Sequence, residues 1–221
     1  PTAPTAATAD GGRYFGPLVD GRFEGQGRME WDTGARYEGG FHEGLFSGQG
    51  RYRFANGDVY EGAFVRGVAS GQGRLETPYG VTYVGSFRNG LFEGHGRRAD
   101  TGGSVYEGEF KNGQSHGSGK STAPNGTCEG EFRLGEPWGM GDCRYVDGRT
   151  YRGEFVHGNL NGKGRYEDAA GNVYEGEFVN GGFTGEGAFT GSDGTRQEGR
   201  FKNWRLDGPG KFVDGNGTVY E

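Results

Sequence analysis

Catalysis needs groups that converge, so the residues able to attack, carry a proton or hold a metal come first. The serines, Ser47, Ser70, Ser86, Ser104, Ser115, Ser118, Ser121 and Ser192, show no nucleophile arrangement, and they read as structural. The four histidines, His42, His95, His116 and His157, fall in hairpin loops or exposed columns and read as solvent-facing. Glycine-rich fragments such as Gly48-Gln49-Gly50 look like dinucleotide loops only superficially, because they lie inside strand patterns with no helix to follow. Acid–glycine pairs suggest a calcium roll, but that architecture repeats every nine residues and no such period occurs. Cys128 and Cys143 lie 15 residues apart, too far for a local metal motif. The expectation is a chain that is not an enzyme, with no cofactor and no metal.

Composition narrows the partners. Glycine fills 51 of 221 positions, apolar residues supply only 31%, and mean hydropathy is −0.83, so a thick core of ordinary kind cannot be assembled. Sixteen Phe and 12 Tyr nevertheless argue against disorder and for a thin core made of rings. A net charge of −6 weighs against nucleic acid and weakens nonspecific attraction to anionic lipid. There is no long apolar run and no signal-peptide pattern, and two cysteines make no secreted disulfide framework, so a reducing, cytoplasmic setting is expected.

What positions these residues is a period of 23. From Tyr37-Glu38-Gly39-Gly40-Phe41 the pattern recurs at Tyr60 with Phe64, Tyr83 with Phe87 and Tyr106 with Phe110. It continues at Cys128 with Phe132, Tyr151 with Phe155, Tyr174 with Phe178 and Gln197 with Phe201. A weaker copy starts at Tyr14, and Tyr220-Glu221 opens one that is not finished, from which a longer parent is expected. Eleven residues after each leading position comes a Gly-x-Gly, as at Gly48 and Gly50. Residues 1–12, rich in Ala, Thr and Pro, read as a flexible lead, and 13–221 as one repeat array.

This tandem pattern resembles the MORN repeat over residues 14–221. The resemblance implies an array that holds other proteins. Repeat-only members point to cytoskeletal assemblies, including radial-spoke heads of cilia or flagella and parasite cortical complexes. Membrane association, or service as an accessory module beside an enzyme domain, is the alternative the family allows.

Side-chain parity gives the fold. Tyr37, Gly39 and Phe41 share one face, as do Gly48, Gly50 and Tyr52, so each repeat is a two-stranded hairpin. The expected fold is all-β: an open, elongated, single antiparallel sheet of about nine stacked hairpins without helices. At about 4.8 Å per strand, nine repeats would extend on the order of 90 Å. If Tyr52 is to share a face with Tyr60, Ala55-Asn56-Gly57 must be a three-residue turn. Arg51 then sits opposite both Glu38 and Glu61, within a basic column (Arg28, Arg51, Arg74, Arg97, Lys120, Arg165, Lys211) facing an acidic one (Glu38, Glu61, Glu107, Glu129, Glu175, Glu198). Asp142 and Arg152 exchange signs together. The same register places Cys128 directly across from Cys143, expected as reduced thiols on the aromatic face.

One step, from Tyr106 to Cys128, is 22 residues. A shortened turn is expected around Pro124-Asn125-Gly126. Nearby, the second-strand row loses its apolar character at Arg98 and Ser121, which marks a bend, a docking point for a polar group, or a local packing variant. The candidate partner groove is the ring face: Tyr37, Tyr60, Tyr83, Tyr106, Tyr151 and Tyr174, with Phe41, Phe64, Phe87 and Phe110, joined by Tyr52, Arg98 and Tyr166. The same rings must also form the core, which would leave only their outer edges for a partner. Unpaired sheet edges add an expectation of self-association, as a homodimer or end to end.

Overall fold

A computed structural model describes residues 3–221. Its elements are all β-strands, and its contacts divide it into two units, residues 1–113 and 114–221. Each unit is an open antiparallel sheet in which consecutive strands pair as hairpins. In the first unit, Arg36–His42, Leu45–Arg53, Val59–Val65 and Val68–Glu76 are four such neighbours. In the second, Thr150–Val156, Asn159–Glu167, Val173–Val179 and Gly182–Thr190 repeat the arrangement.

The parity argument holds strand by strand. Tyr37 pairs with Tyr52, Tyr52 with Tyr60, and Arg51 lies opposite both Glu38 and Glu61. The Phe54 N–H donates to Asp58 O and the Gly57 N–H to Phe54 O, closing the expected three-residue turn with Gly57 at φ +91. The short repeat closes differently: Ala123 pairs with Gly126 around a two-residue Pro124-Asn125 turn.

Within each repeat the sequence pattern hides a second feature. Between Gly39 and Phe41 the register slips, so that Phe41 faces Phe46 rather than Gly48. Gly48, at φ +71, absorbs the extra residues in a bulge that a side chain with Cβ enters only with strain. The slip, being of two residues, keeps the face and sets the head of the second strand opposite Phe41. Two-residue turns then close the hairpins, with both central residues at positive φ, as at Glu43 (+50) and Gly44 (+84).

Three expectations are corrected. Part of the lead is built into the sheet: Ala6–Ala7 pairs with Arg13–Phe15, and the Trp31 indole N–H donates to Asp10 at 3.1 Å. Backbone groups left beside a sheet edge gain more by pairing than by remaining free. The charged columns are in register, but their ion pairs run along strands as well as across them. Lys120–Glu129 (3.7 Å) and Arg152–Asp142 (2.6 Å) cross strands, whereas Arg36–Glu38 (3.0 Å) and Arg74–Glu76 (2.9 Å) link residues two apart on one strand. Side chains i and i+2 share a face, so a long guanidinium reaches either carboxylate. Finally, Cys128 and Cys143 do lie opposite each other, 4.0 Å apart at Cα, but as a disulfide and not as thiols. That spacing puts the two sulfurs within bonding reach.

Rings cover the glycines. A Cβ placed on Gly73 would lie 2.6 Å from Cε2 of Tyr60, so Gly73→Ala should destabilise the chain by about 1–3 kcal/mol in chemical denaturation. The unstrained control Lys111→Ala, on an exposed site, should move the midpoint little. The disulfide closes a 15-residue separation, and Cys128→Ser with Cys143→Ser should cost about 2–4 kcal/mol in the same assay.

Candidate functional site

The glycine floors divide the predicted groove residues into two groups. In the first unit, Tyr37, Tyr60 and Tyr83 lie flat over the glycines, Tyr106 is buried as they are, and each of the four hydroxyls donates to the carbonyl three residues on, at 2.8–3.1 Å. Burial pushes all four phenols up to about 12, so they are neutral donors at ordinary pH. Phe41, Phe64, Phe87 and Phe110 meet these tyrosines edge-on at 5.1 Å. All eight rings are 9% exposed or less. They are core, which leaves only slight outer edges to a partner in this unit. A sheet without a covering layer has nothing else to bury. Tyr52 is half-buried, and Arg98 is exposed where it pairs between Tyr83 and Tyr106.

The residues at the head of the second strand decide how each tyrosine is covered. Phe46 stacks on Tyr37 and Phe92 on Tyr83, both at 3.7 Å. Phe46 and Phe92 have the parity of the ring face but were not among the candidates, because the slip that sets them opposite Phe41 and Phe87 is not visible in the period.

In the second unit the floors have other occupants. Leu160 covers Gly164, Phe183 covers Gly187 and Leu206 covers Gly210, with methyl or ring carbons 2.5–3.1 Å from where a Cβ would stand. The tyrosines are displaced outward. Tyr151 and Tyr174 are half-buried, and they form a ladder with Tyr145, Tyr166 and Phe189. Successive ring centroids lie 5.7 Å (Tyr145–Tyr151), 4.7 Å (Tyr151–Tyr166), 6.0 Å (Tyr166–Tyr174) and 4.8 Å (Tyr174–Phe189) apart. Trp204 joins this band at 5.3 Å from Tyr166 and 4.9 Å from Tyr174. Burial is the leading cause that pushes the Tyr166 phenol up to about 12 and raises that of Tyr174. Of the band, Tyr151, Tyr166 and Tyr174 were legible as candidates, whereas Tyr145 and Trp204 were not. The signal for Trp204 is that it fills a turn place held elsewhere by glycine.

The polar groups do not assemble into a reaction centre. Among the described residues no group of three or more His, Cys, Asp or Glu could hold a metal. Gly113-Gln114-Ser115-His116-Gly117 has the Gly-x-Ser-x-Gly spacing, contrary to the reading of the serines as patternless. It runs from a tight turn into the strand Gln114–Ala123, however, and no helix follows to make a nucleophile elbow. His42, His95 and His157 are exposed as expected, while His116 is half-buried. Among the described residues no helix is long and apolar enough to cross a membrane.

The repeat geometry agrees with the comparison to known families. The MORN repeat model matches nine segments, 14–36, 37–59, 60–78, 83–105, 106–128, 128–148, 151–173, 174–196 and 198–219. The chain belongs to the MORN-repeat family. Eight of these segments start where the leading residues were placed, and the last starts one residue later. Among curated proteins none matches significantly. Similar solved structures include the wild-type TCP10 domain of Danio rerio CPAP, at 13% identity and TM-score 0.43, covering 98% of this chain and 96% of that one. The same domain in complex with a peptide of Danio rerio STIL aligns at 13% and 0.31, over 94% of this chain and 97% of that chain. The Drosophila melanogaster SAS-4 TCP domain, in complex with a proline-rich motif of Ana2, aligns at 12% and 0.28, over 100% and 95%. Likenesses this distant say nothing about what the MORN array here binds.

At the turn edge of the array, His42 Nδ1 lies 3.0 Å from Glu24. The hydrogen bond to Glu24, then its charge, raises the imidazole above its usual value. Because the folded pKa is raised, the stabilisation is complete below the unfolded value and fades as pH rises through the folded one. An NMR titration should find His42 titrating above 6.5, and Glu24→Gln should return it toward that value.

Proposed function

We propose that this MORN array is a non-catalytic docking scaffold, and that the ring ladder of residues 114–221 holds an extended or helical segment of a partner protein. The observation that carries the reading is the contrast between units. Where the tyrosines lie on their floors, the leading rings are buried under their neighbours, and the more exposed rings beside them, Trp31, Tyr52 and Phe54, make only a short run. Where they are displaced, five half-buried rings and Trp204, 37% exposed, form one continuous apolar band. Half-buried Tyr and Trp on a rigid sheet are the side chains that anchor protein partners, because they lose little entropy on binding.

The setting we propose is a cytoplasmic, cytoskeletal assembly, with a cilium or flagellum as its finer form. The support is analogy with repeat-only MORN proteins. Lipid binding is the less favoured reading. The face opposite the rings mixes both signs, as in Arg152–Asp142 and Arg165–Glu175, and the chain carries −6 overall.

Displayed peptide segments selected on the whole 221-residue chain test the docking reading. For the best binder, Tyr166→Ala should weaken affinity by roughly 10- to 30-fold, the range of an interface anchor. Tyr79→Ala, a ring 83% exposed in the first unit, should leave it unchanged. Equal losses in both variants would remove the assignment to this band. Proximity labelling of the full-length protein in cells should recover cytoskeletal neighbours; a purely enzymatic neighbourhood would overturn the scaffold setting.

A further inference from the structure

Repeats 37 and 174 carry matching side chains at the places that compete for the floor. Each has a leading Tyr (Tyr37, Tyr174), a Phe four residues on (Phe41, Phe178) and a Phe heading the second strand (Phe46, Phe183). They pack in opposite ways. Tyr37 lies over Gly50 with Phe46 stacked on its outer side, whereas Phe183 lies over Gly187 and Tyr174 is raised into the ladder. A floor holds one ring, since packed side chains cannot interpenetrate. One sequence pattern therefore supports two mutually exclusive arrangements.

Two local differences accompany the exchange. The residue before the first Phe is Gly40 in one repeat and Glu177 in the other, and the Glu177 carboxylate accepts a hydrogen bond from the Glu186 N–H at 2.9 Å. A glutamate here does not suffice to raise the tyrosine, because Glu109 holds the same place in repeat 106, where Tyr106 is buried with its hydroxyl donating to Glu109 O as Tyr37 does to Gly40 O. The other difference lies in the next hairpin. The Gly67 N–H donates to Phe46 O at 2.8 Å, and the Trp204 N–H donates to Phe183 O at 3.0 Å. The two residues are backbone equivalents, both at positive φ, +84 and +69. Glycine fills this second turn place at Gly21, Gly44, Gly90, Gly113, Gly135, Gly158 and Gly181 as well. A Cβ in the left-handed region is costly, so the contacts of the Trp204 ring must offset the strain. That ring stands 4.9 Å from Tyr174 and 6.1 Å from Phe183.

We infer that repeat 174 can adopt both arrangements, and that Trp204 is the latch that keeps Phe183 on the floor and Tyr174 raised. For Phe183 to leave Gly187 and stack outside a lowered tyrosine, as Phe46 does, it needs the space beside Tyr174 that the indole fills. Trp204 thus sets how many rings the band presents. The inference deepens the docking reading and rests on it for its functional meaning, while its geometry is tested separately.

The experiment is a structure of the full chain carrying Trp204→Gly, with 19F NMR of 3-fluorotyrosine at position 174 in solution. Glycine suits the turn, so the variant keeps its fold. The expected result is Tyr174 lowered over Gly187, its hydroxyl donating to Glu177 O, with a 19F shift moved toward that of a buried ring. Tyr174 still raised in this variant overturns the latch. So does Glu177→Ser lowering Tyr174 while Trp204 remains in place, since the carboxylate would then be the determinant. Segment affinity measured on Trp204→Gly should fall about 10-fold. A lowered Tyr174 with undiminished affinity supports the latch and removes the docking reading.

Discussion

A single sheet with no covering layer has only its own backbone on which to bury its side chains. That constraint governs the rest of this molecule. An aromatic ring excludes water well when it lies flat on peptide groups, and it can do so only where no Cβ stands between. Gly50, Gly73 and Gly96 supply those floors under Tyr37, Tyr60 and Tyr83. These glycines are therefore packing residues, whereas others such as Gly44 serve turns, and where Phe46 and Phe92 stack on Tyr37 and Tyr83 a ring is used on both faces.

The bulge at positions such as Gly48 turns this local packing into a repeat-wide device. It shifts the register inside one hairpin and leaves the next pairing untouched, since Gly48 still faces Phe64. The head of the second strand is thereby brought above the floor. A large apolar side chain there either stacks on the tyrosine or replaces it, whereas Ala69 leaves Tyr60 on its floor. Phe46 and Phe92 do the first, Leu160 and Phe183 the second. The choice separates a closed ring face from one that presents a ladder of half-buried tyrosines, and so connects a two-residue slip to the docking surface.

The disulfide belongs to the same logic. Cys128 takes the place of a leading tyrosine and Cys143 the place across from it, so the bond occupies a position where other repeats pair two rings. It is a covalent solution to a gap in a thin core, and it sits in the hairpin before the ladder starts at Tyr145.

Strand parity and period were enough to place the family, the pairing of Tyr37 with Tyr52, the three-residue turn at Gly57 and the opposition of the two cysteines. Those are properties of backbone direction and alternation, and a sequence states them directly. Which of the rings are core and which are surface was decided only by tertiary structure. Tyr37 and Tyr174 are indistinguishable in their own repeats, yet one is buried and the other raised. The difference arises from competition for a floor that one ring can occupy, and the side chain to which we assign the outcome, Trp204, acts from the next hairpin through contacts that a period of 23 does not contain.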